Sequence, residues 1–164
     1  MIFGMTTFTF VHVVISLLGI ASGFVTMGGL LKGRRLDGWT AIFLATTIAT
    51  SVTGFGFPFV RLLPSHVVGI ISLVVLAVVV YARYARHMQK AWRWTYTIGA
   101  VLALYLNVFV LVVQLFQKVP SVKALAPTQS EPPFLIAQSI VLALFVALGI
   151  GAVLRFRPEA IQSA

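Results

Sequence analysis

The chain has 164 residues, of which 60% are hydrophobic and 9% charged, and its mean hydropathy is +1.04. Charged residues make up about a quarter of an ordinary soluble domain. The composition of this chain therefore excludes a soluble domain and indicates an integral membrane protein. The net charge of +9 does not indicate nucleic-acid binding, because the Lys and Arg residues stand in short runs beside apolar segments, where they act as topology signals. With no cysteine, the chain has neither disulfides nor thiolate ligands.

Five apolar segments follow one another, each close to the roughly 20 residues that a helix needs to cross about 30 Å of hydrocarbon. We predict one integral membrane domain over residues 1–164, an all-α bundle of five transmembrane helices. Their predicted bounds are 7–31, 38–57, 64–86, 93–117 and 132–154. The start MIFGMTTFTF lacks the basic region of a secretory signal, so we expect the first helix to stay in the mature protein.

The first and fifth predicted helices each carry a stripe of small or polar residues on one face. Small residues let helix backbones approach closely, so we expect both stripes to pack against neighbouring helices. In the first helix the stripe recurs every three or four residues and comprises His12, Ser16, Gly19, Gly23 and Thr26. In the fifth it recurs every fourth residue and comprises Ser139, Ala143, Ala147 and Gly151.

An unusually polar stretch, TTIATSVTGFGFPFVRLLPSH, runs from Thr46 in the second helix to His66 at the start of the third. Hydroxyl side chains can hydrogen-bond to the backbone of their own helix and so tolerate membrane depth. Five of them in eight residues, Thr46, Thr47, Thr50, Ser51 and Thr53, are more than helix packing requires. Gly54, Gly56 and Pro58 then break the helix, and Pro64 opens the next one. We expect a site at this end of the bundle.

The distribution of basic residues predicts the orientation, because Lys and Arg are retained on the cytoplasmic side of a membrane. In the five-helix arrangement one side holds Lys32, Arg34, Arg35, Arg83, Arg86, Lys90, Arg93, Arg155 and Arg157. The other side holds only Arg61, Lys118 and Lys123. The N-terminus is therefore predicted outside and the C-terminus in the cytoplasm.

Polar residues inside the predicted helices gather in the outer half of the bundle. Because burying them in hydrocarbon is costly, such residues tend to line a functional site. We predict an outward-facing pocket for a small molecule or cofactor, lined by His12, Ser16, Thr50, Ser51, Thr53, His66, Asn107, Gln114 and Gln138.

His12 and His66 are predicted at similar depth on different helices. Two neutral imidazoles in a bundle could ligate a haem b, or they could hydrogen-bond a quinone. They could equally be interfacial hydrogen-bonding groups, or serve in pH sensing or substrate contact. Metal binding without haem is not predicted, because Asp37, Glu131 and Glu159 all lie at or beyond the predicted membrane edges.

The turn after the third helix is strongly basic. We expect Arg83, Arg86, Lys90 and Arg93 to contact anionic lipid headgroups, with docking of a partner as the alternative. The predicted spans contain no carboxylate, and the hydroxyls have no convincing base beside them. The sequence therefore gives no indication of an enzyme.

Pro64, Ser65 and His66 lead an aliphatic helix ending in Arg83 and Arg86, and an aromatic helix start follows through Tyr96. This order resembles a family of uncharacterised bacterial multi-pass membrane proteins, over about 34–107. The resemblance implies a bacterial inner membrane and no particular activity. Two functions therefore stay open: a module that binds a small molecule or cofactor, and a non-catalytic protein. The latter is a homo-oligomer, an accessory subunit of a membrane complex or a small permeation pathway.

Overall fold

Apolar sequence and helix-forming segments give an entirely helical structure in the computed structural model, which describes residues 6–57 and 64–157. The helices are α1 (Thr7–Leu31), α2 (Asp37–Gly54), α3 (Pro64–Val80), α4 (Trp92–Lys118), α5 (Pro120–Lys123) and α6 (Pro132–Arg155). A π-helical turn, Tyr81–Ala85, continues α3. Within the described residues, four segments are long and apolar enough to cross a bilayer, namely Thr7–Leu31, His66–Ala85, Trp92–Lys118 and Pro132–Arg155.

The predicted bounds of α1 agree with the structure, and those of the other four helices need correction, including those of α6, which ends at Arg155 rather than at residue 154. α2 ends at Gly54 because Phe55 and Gly56 form a turn, whereas the prediction carried it to residue 57. Regular α-helix in α3 ends at Val80 rather than at residue 86. α4 extends one residue beyond its predicted bound at each end, and α5 was not predicted.

Contacts between the helices define their relative directions. α1 and α2 are antiparallel, because His12 bonds Thr53 near one end while Gly23 abuts Phe43 further along. α4 and α6 are antiparallel, since Tyr105 packs on Phe145 and Tyr96 packs on Phe156. α1 and α6 run in parallel, with contacts between Phe24 and Phe145 and between Leu31 and Gly151. α3 is antiparallel to α4, so α1, α3 and α6 share one direction, opposite to α2 and α4.

The bundle therefore has two distinct ends. The basic end comprises the C-terminal ends of α1, α3 and α6 and the starts of α2 and α4, and it gathers the nine Lys and Arg residues that were predicted to lie together. The loop end comprises the turn after α2 and the segment 119–131, and it carries Lys118 and Lys123. Arg61, also predicted for that side, lies outside the described residues.

The apolar core lies mostly in the half of the bundle near the basic end. It is centred on α4, whose Ala100, Ala103 and Leu104 are almost inaccessible. Glycine permits close approach here, because a Cβ at Gly23 would lie 2.5 Å from Leu104 Cδ1 and one at Gly99 would lie 2.4 Å from Val79 Cγ2. Large apolar side chains such as Leu18 and Ile98 are exposed on the outside, as is typical of a lipid-facing surface.

Candidate functional site

At the loop end, a histidine of α1 is hydrogen-bonded to a threonine of α2. The Nδ1 atom of His12 lies 2.8 Å from the Oγ1 atom of Thr53. His12 is partly buried, and its ring meets that of Phe57 edge to face at 5.0 Å between centroids. Gly54 lies beside the ring, where a Cβ would meet His12 Cε1 in ordinary van der Waals contact at 3.9 Å.

The hydrogen bonds of Thr53 fix which nitrogen of His12 carries the proton. The Thr53 hydroxyl has a single proton, and the carbonyl oxygen of Ala49 lies 2.7 Å away. Two oxygens at that distance would repel unless the hydroxyl donated to the carbonyl. Thr53 Oγ1 is therefore the acceptor for His12, whose Nδ1 carries the proton, and Nε2 carries the lone pair. Among the described residues, Nε2 has no hydrogen-bond partner.

Deeper in the bundle, the polar residues of α2 pair with other helices. Ser51 donates to Ser72 of α3 at 3.1 Å, and Asn107 of α4 donates to Thr47 at 3.1 Å. The hydroxyl oxygen of Thr50 is buried and has no hydrogen-bond partner in the part of the chain that the structure describes. Most of this polar layer thus joins helices to one another, and Thr47 and Ser72, which the sequence-based site omitted, belong to it.

The other predicted site residues are more dispersed. Ser16 donates to the carbonyl of His12 in its own helix, at 2.7 Å. Gln138 of α6 donates to the carbonyl of Phe109 at 3.2 Å, while its Oε1 atom is buried without a described partner. Gln114 is exposed. None of these three side chains forms a described hydrogen bond with the side chain of His12 or of Thr53.

His66 is buried, with 5% of its surface exposed, and its ring lies 5.8 Å from that of Phe55. His12 thus approaches the end of α2 from α1, whereas His66 approaches it from α3. Within α2, Thr53 bonds His12 of α1 and Ser51 bonds Ser72 of α3, and residues two positions apart on an ideal helix project about 200° from each other. The end of α2 therefore lies between the two imidazoles, an arrangement that does not support one haem ligated by both. The shared pocket stays a prediction.

The basic end contains a buried arginine that sequence reasoning assigned to lipid headgroups. The side chain of Arg83 is only 4% exposed, and it forms an ion pair with Asp37 at the start of α2. The guanidinium carbon lies 5.2 Å from the ring centroid of Tyr96 and 5.5 Å from that of Tyr84. Arg83 therefore faces the bundle interior, stabilised by charge pairing and cation–π contacts rather than by headgroups.

A signal for this burial was present in the sequence. Arg83 follows Ser72, Leu76 and Val79 at intervals of four, three and four, the spacing of one helix face, and all four residues are buried. Of the other predicted headgroup contacts, Arg93 donates to the carbonyl of Phe156, and Arg86 lies over Trp92 at 5.3 Å. Arg86 and Lys90 are exposed.

A separate shallow cavity of about 210 Å³ lies beside α5, away from His12. It is lined by Phe116, Gln117, Lys123, Pro127, Thr128 and Gln129, none of which was predicted for the site.

Across residues 6–57 and 64–157, no group of three or more His, Cys, Asp or Glu residues could hold a metal ion. No protein-family model matches this chain, and neither a curated protein nor a solved structure shows detectable similarity to it.

Proposed function

We propose that this chain crosses a bacterial inner membrane five times, with its N-terminus outside and its C-terminus in the cytoplasm. The clustering of nine Lys and Arg residues at the basic end supports a cytoplasmic location for that end. Exposed Arg86 and Lys90 then lie where anionic lipid headgroups are accessible. The inner-membrane location also rests on the resemblance to uncharacterised bacterial multi-pass proteins.

The proposed fifth crossing is α2, which is too polar to stand among the four most apolar helices. α1 and α3 run in the same direction, so a chain that crosses through both must return between them. With 18 residues at about 1.5 Å each, α2 is roughly 27 Å long. Its hydroxyls tolerate this depth because Thr46 and Thr53 donate to the carbonyls of Ile42 and Ala49 in the same helix.

Reporter fusions test the orientation. A reporter fused after Ala164 is expected to be active in the cytoplasm, and one inserted at Gln129 is expected to be active outside. The opposite pair of results would contradict the five-crossing proposal. A matched fusion at Gln89, in the turn before α4, should agree with the fusion after Ala164.

We further propose that the loop end binds a small molecule, with His12 as the hydrogen-bonding group. The observation that carries this proposal is that His12 is held by Thr53 through one ring nitrogen while the other has no described partner. Elsewhere in the polar layer, Ser51 and Asn107 are engaged in pairs between helices. The second ring nitrogen of this oriented imidazole is not among the buried side-chain atoms, so a ligand can reach it, and polar groups within membrane spans commonly serve as binding groups.

Extraction of bound molecules tests this proposal. Protein purified in mild detergent is extracted with organic solvent, and the extract is compared by mass spectrometry with extracts of His12→Ala and His87→Ala. We expect a species that His12→Ala lacks and that His87→Ala retains, since His87 lies in the turn at the basic end. Identical extracts from all three proteins would contradict a site at His12. An absorption spectrum of the same sample tests for haem b through its Soret band.

A second candidate is an accessory subunit or a homo-oligomer, and the surface of α6 favours it. Gly151 packs toward Leu31 of α1, but Ser139, Ala143 and Ala147 of the same stripe are exposed. Small residues exposed on a membrane helix permit close approach of another helix. Ala143→Leu and Ala147→Leu should then shift the assembly to a smaller size on native gels, whereas Leu142→Ala should not. Unchanged migration of all variants would remove this candidate.

A further inference from the structure

We infer that the ligand of the His12 site is a membrane-dissolved molecule that donates a neutral hydroxyl, of the hydroquinone class, rather than its oxidised quinone. This inference rests on the proposed function and adds the hydrogen-bond polarity of the ligand. It follows from three features of the site: the fixed proton on His12, the neutral surroundings and the aromatic side chains at the loop end.

The hydrogen-bond chain at His12 runs in one direction only. His12 Nδ1 donates to Thr53 Oγ1, and Thr53 donates to the carbonyl of Ala49, which ends the chain. The alternative tautomer would leave Nδ1 as an acceptor facing a hydroxyl oxygen whose proton is already engaged. Nε2 is therefore held as an acceptor and requires a donor from its ligand. A quinone carbonyl is an acceptor and cannot supply one, whereas a hydroquinone hydroxyl can.

The surroundings favour a neutral, flat ligand. The described contacts of the His12 side chain are with Thr53, Phe57 and Gly54, and none of these residues is charged. A cationic donor such as an ammonium would find no counter-ion among these contacts and would pay the cost of charge at membrane depth. A phenolic hydroxyl donates without that cost.

Aromatic side chains lie next to the imidazole. Phe57 meets His12 at 88° and Phe8 at 64°, with ring centroids 5.0 and 5.1 Å apart. Edge-to-face and offset contacts of this kind accommodate a further aromatic ring. Phe8 and Val11 on the same turn of α1 are 44% and 47% exposed, so the site is reached sideways from the bilayer rather than from the interior of the bundle.

Nitrogen NMR tests the inference directly. Protein labelled with ¹⁵N-histidine is placed in phosphatidylcholine nanodiscs and titrated under anaerobic conditions with tetramethylhydroquinone or with tetramethylquinone. We expect the hydroquinone to move the His12 Nε2 resonance while Nδ1 stays protonated, and to bind at least about tenfold more tightly than the quinone, a difference of about 1.4 kcal/mol. His87, in the turn at the basic end, provides an internal reference resonance.

Two threonine variants give a matched control. Thr53→Val removes the acceptor that fixes the tautomer and should abolish the preference for the reduced form. Thr46→Val removes a hydroxyl that bonds only within α2, to the carbonyls of Ile42 and Phe43, and should leave the preference unchanged. Equal loss of preference in both variants would overturn the role of Thr53.

The outcomes separate this inference from the proposed function. Equal or tighter binding of the quinone, with a moved His12 resonance, would overturn the donor requirement while supporting a small-molecule site at His12. If neither compound moves the resonance, the hydroquinone class is wrong. The comparison of solvent extracts from the parent protein and His12→Ala then decides independently whether the site binds another molecule.

Discussion

The two ends of the bundle use their polar side chains in different ways. At the basic end, Arg83 is buried against Tyr96 and Tyr84 and paired with Asp37, above a core that includes Val79 and Ala82. At the loop end, the described polar partner of the His12 side chain is the neutral hydroxyl of Thr53. The second ring nitrogen of His12 has no hydrogen-bond partner among the described residues.

This difference indicates that the basic end mainly stabilises the bundle and that the region around His12 mainly serves binding. Charge pairing and apolar packing connect helices at the basic end, where α2 begins beside the end of α3. Between the core and the loop end, hydroxyl and amide pairs such as Ser51 with Ser72 connect helices more weakly, so breaking them costs less free energy. We therefore expect substitutions at the basic end to affect stability most, and those around His12 to affect binding most.

The largest effect on stability is expected from Asp37→Ala. The substitution leaves the buried guanidinium of Arg83 without its carboxylate. Because Asp37 itself is 64% exposed, the loss should not exceed about 3 kcal/mol, the lower end of what breaking a fully buried ion pair costs. Unfolding in mixed detergent micelles measures the change. Arg35→Ala is the matched control, because Arg35 also bonds Asp37 but its side chain is 42% exposed, and its loss should cost less than about 1 kcal/mol. Equal losses in the two variants would contradict an interior role for Arg83.

A smaller effect is expected where α1 approaches its neighbours most closely. A methyl group at Gly23 would lie 2.5 Å from Leu104 Cδ1 and 3.0 Å from the Phe43 ring, so Gly23→Ala should destabilise the protein by about 1–3 kcal/mol. Gly28→Ala is the control on the same helix, since nothing lies within 4 Å of the added atom. It should be neutral or stabilise slightly, and thermal melts of both variants provide the comparison. If Gly23→Ala melts with the parent, the close contact is absent.

The smallest effect is expected for a single polar pair between helices. A double-mutant cycle on Thr47→Val and Asn107→Leu isolates the hydrogen bond that joins α2 to α4. Such pairs in membranes contribute about 0.6 kcal/mol, so the coupling energy should be close to that figure. A coupling above about 2 kcal/mol would show that the polar layer stabilises the bundle as strongly as the basic end does.

Periodicity and composition predicted the elements well but predicted side-chain partners poorly. The bounds of α1 were correct, because its apolar run is long and flanked by a threonine cap and a basic turn. The clustering of Thr53 near His12 was expected from depth, but the hydrogen bond that orients the imidazole depends on a contact between helices, which local sequence does not define. His66 illustrates the same limit, since its ring lies 5.8 Å from that of Phe55, a contact between segments that local sequence does not define.

Arg83 shows where a general rule gave the wrong environment. An arginine just after an apolar run is usually interfacial, and this expectation placed it among headgroups. Its spacing from Ser72, Leu76 and Val79 indicated an inward face, but a buried arginine also needed a partner, and Asp37 lies 46 residues away in sequence. The π-helical turn at Tyr81–Ala85 had no recognisable signal in the sequence.

The two ends of the bundle lie on opposite sides of the membrane only if α2 crosses it. Cysteine labelling tests this crossing most directly. The natural chain has no cysteine, so Lys32→Cys, Gln89→Cys and Ser121→Cys each introduce a single exposed thiol, before α2, after α3 and in α5. In intact cells with a membrane-impermeant maleimide, the five-crossing proposal predicts that Ser121→Cys is labelled while Lys32→Cys and Gln89→Cys are both labelled only after lysis. Labelling of Lys32→Cys and Gln89→Cys from opposite sides would contradict the proposal, because the chain would then cross once, not twice, between them.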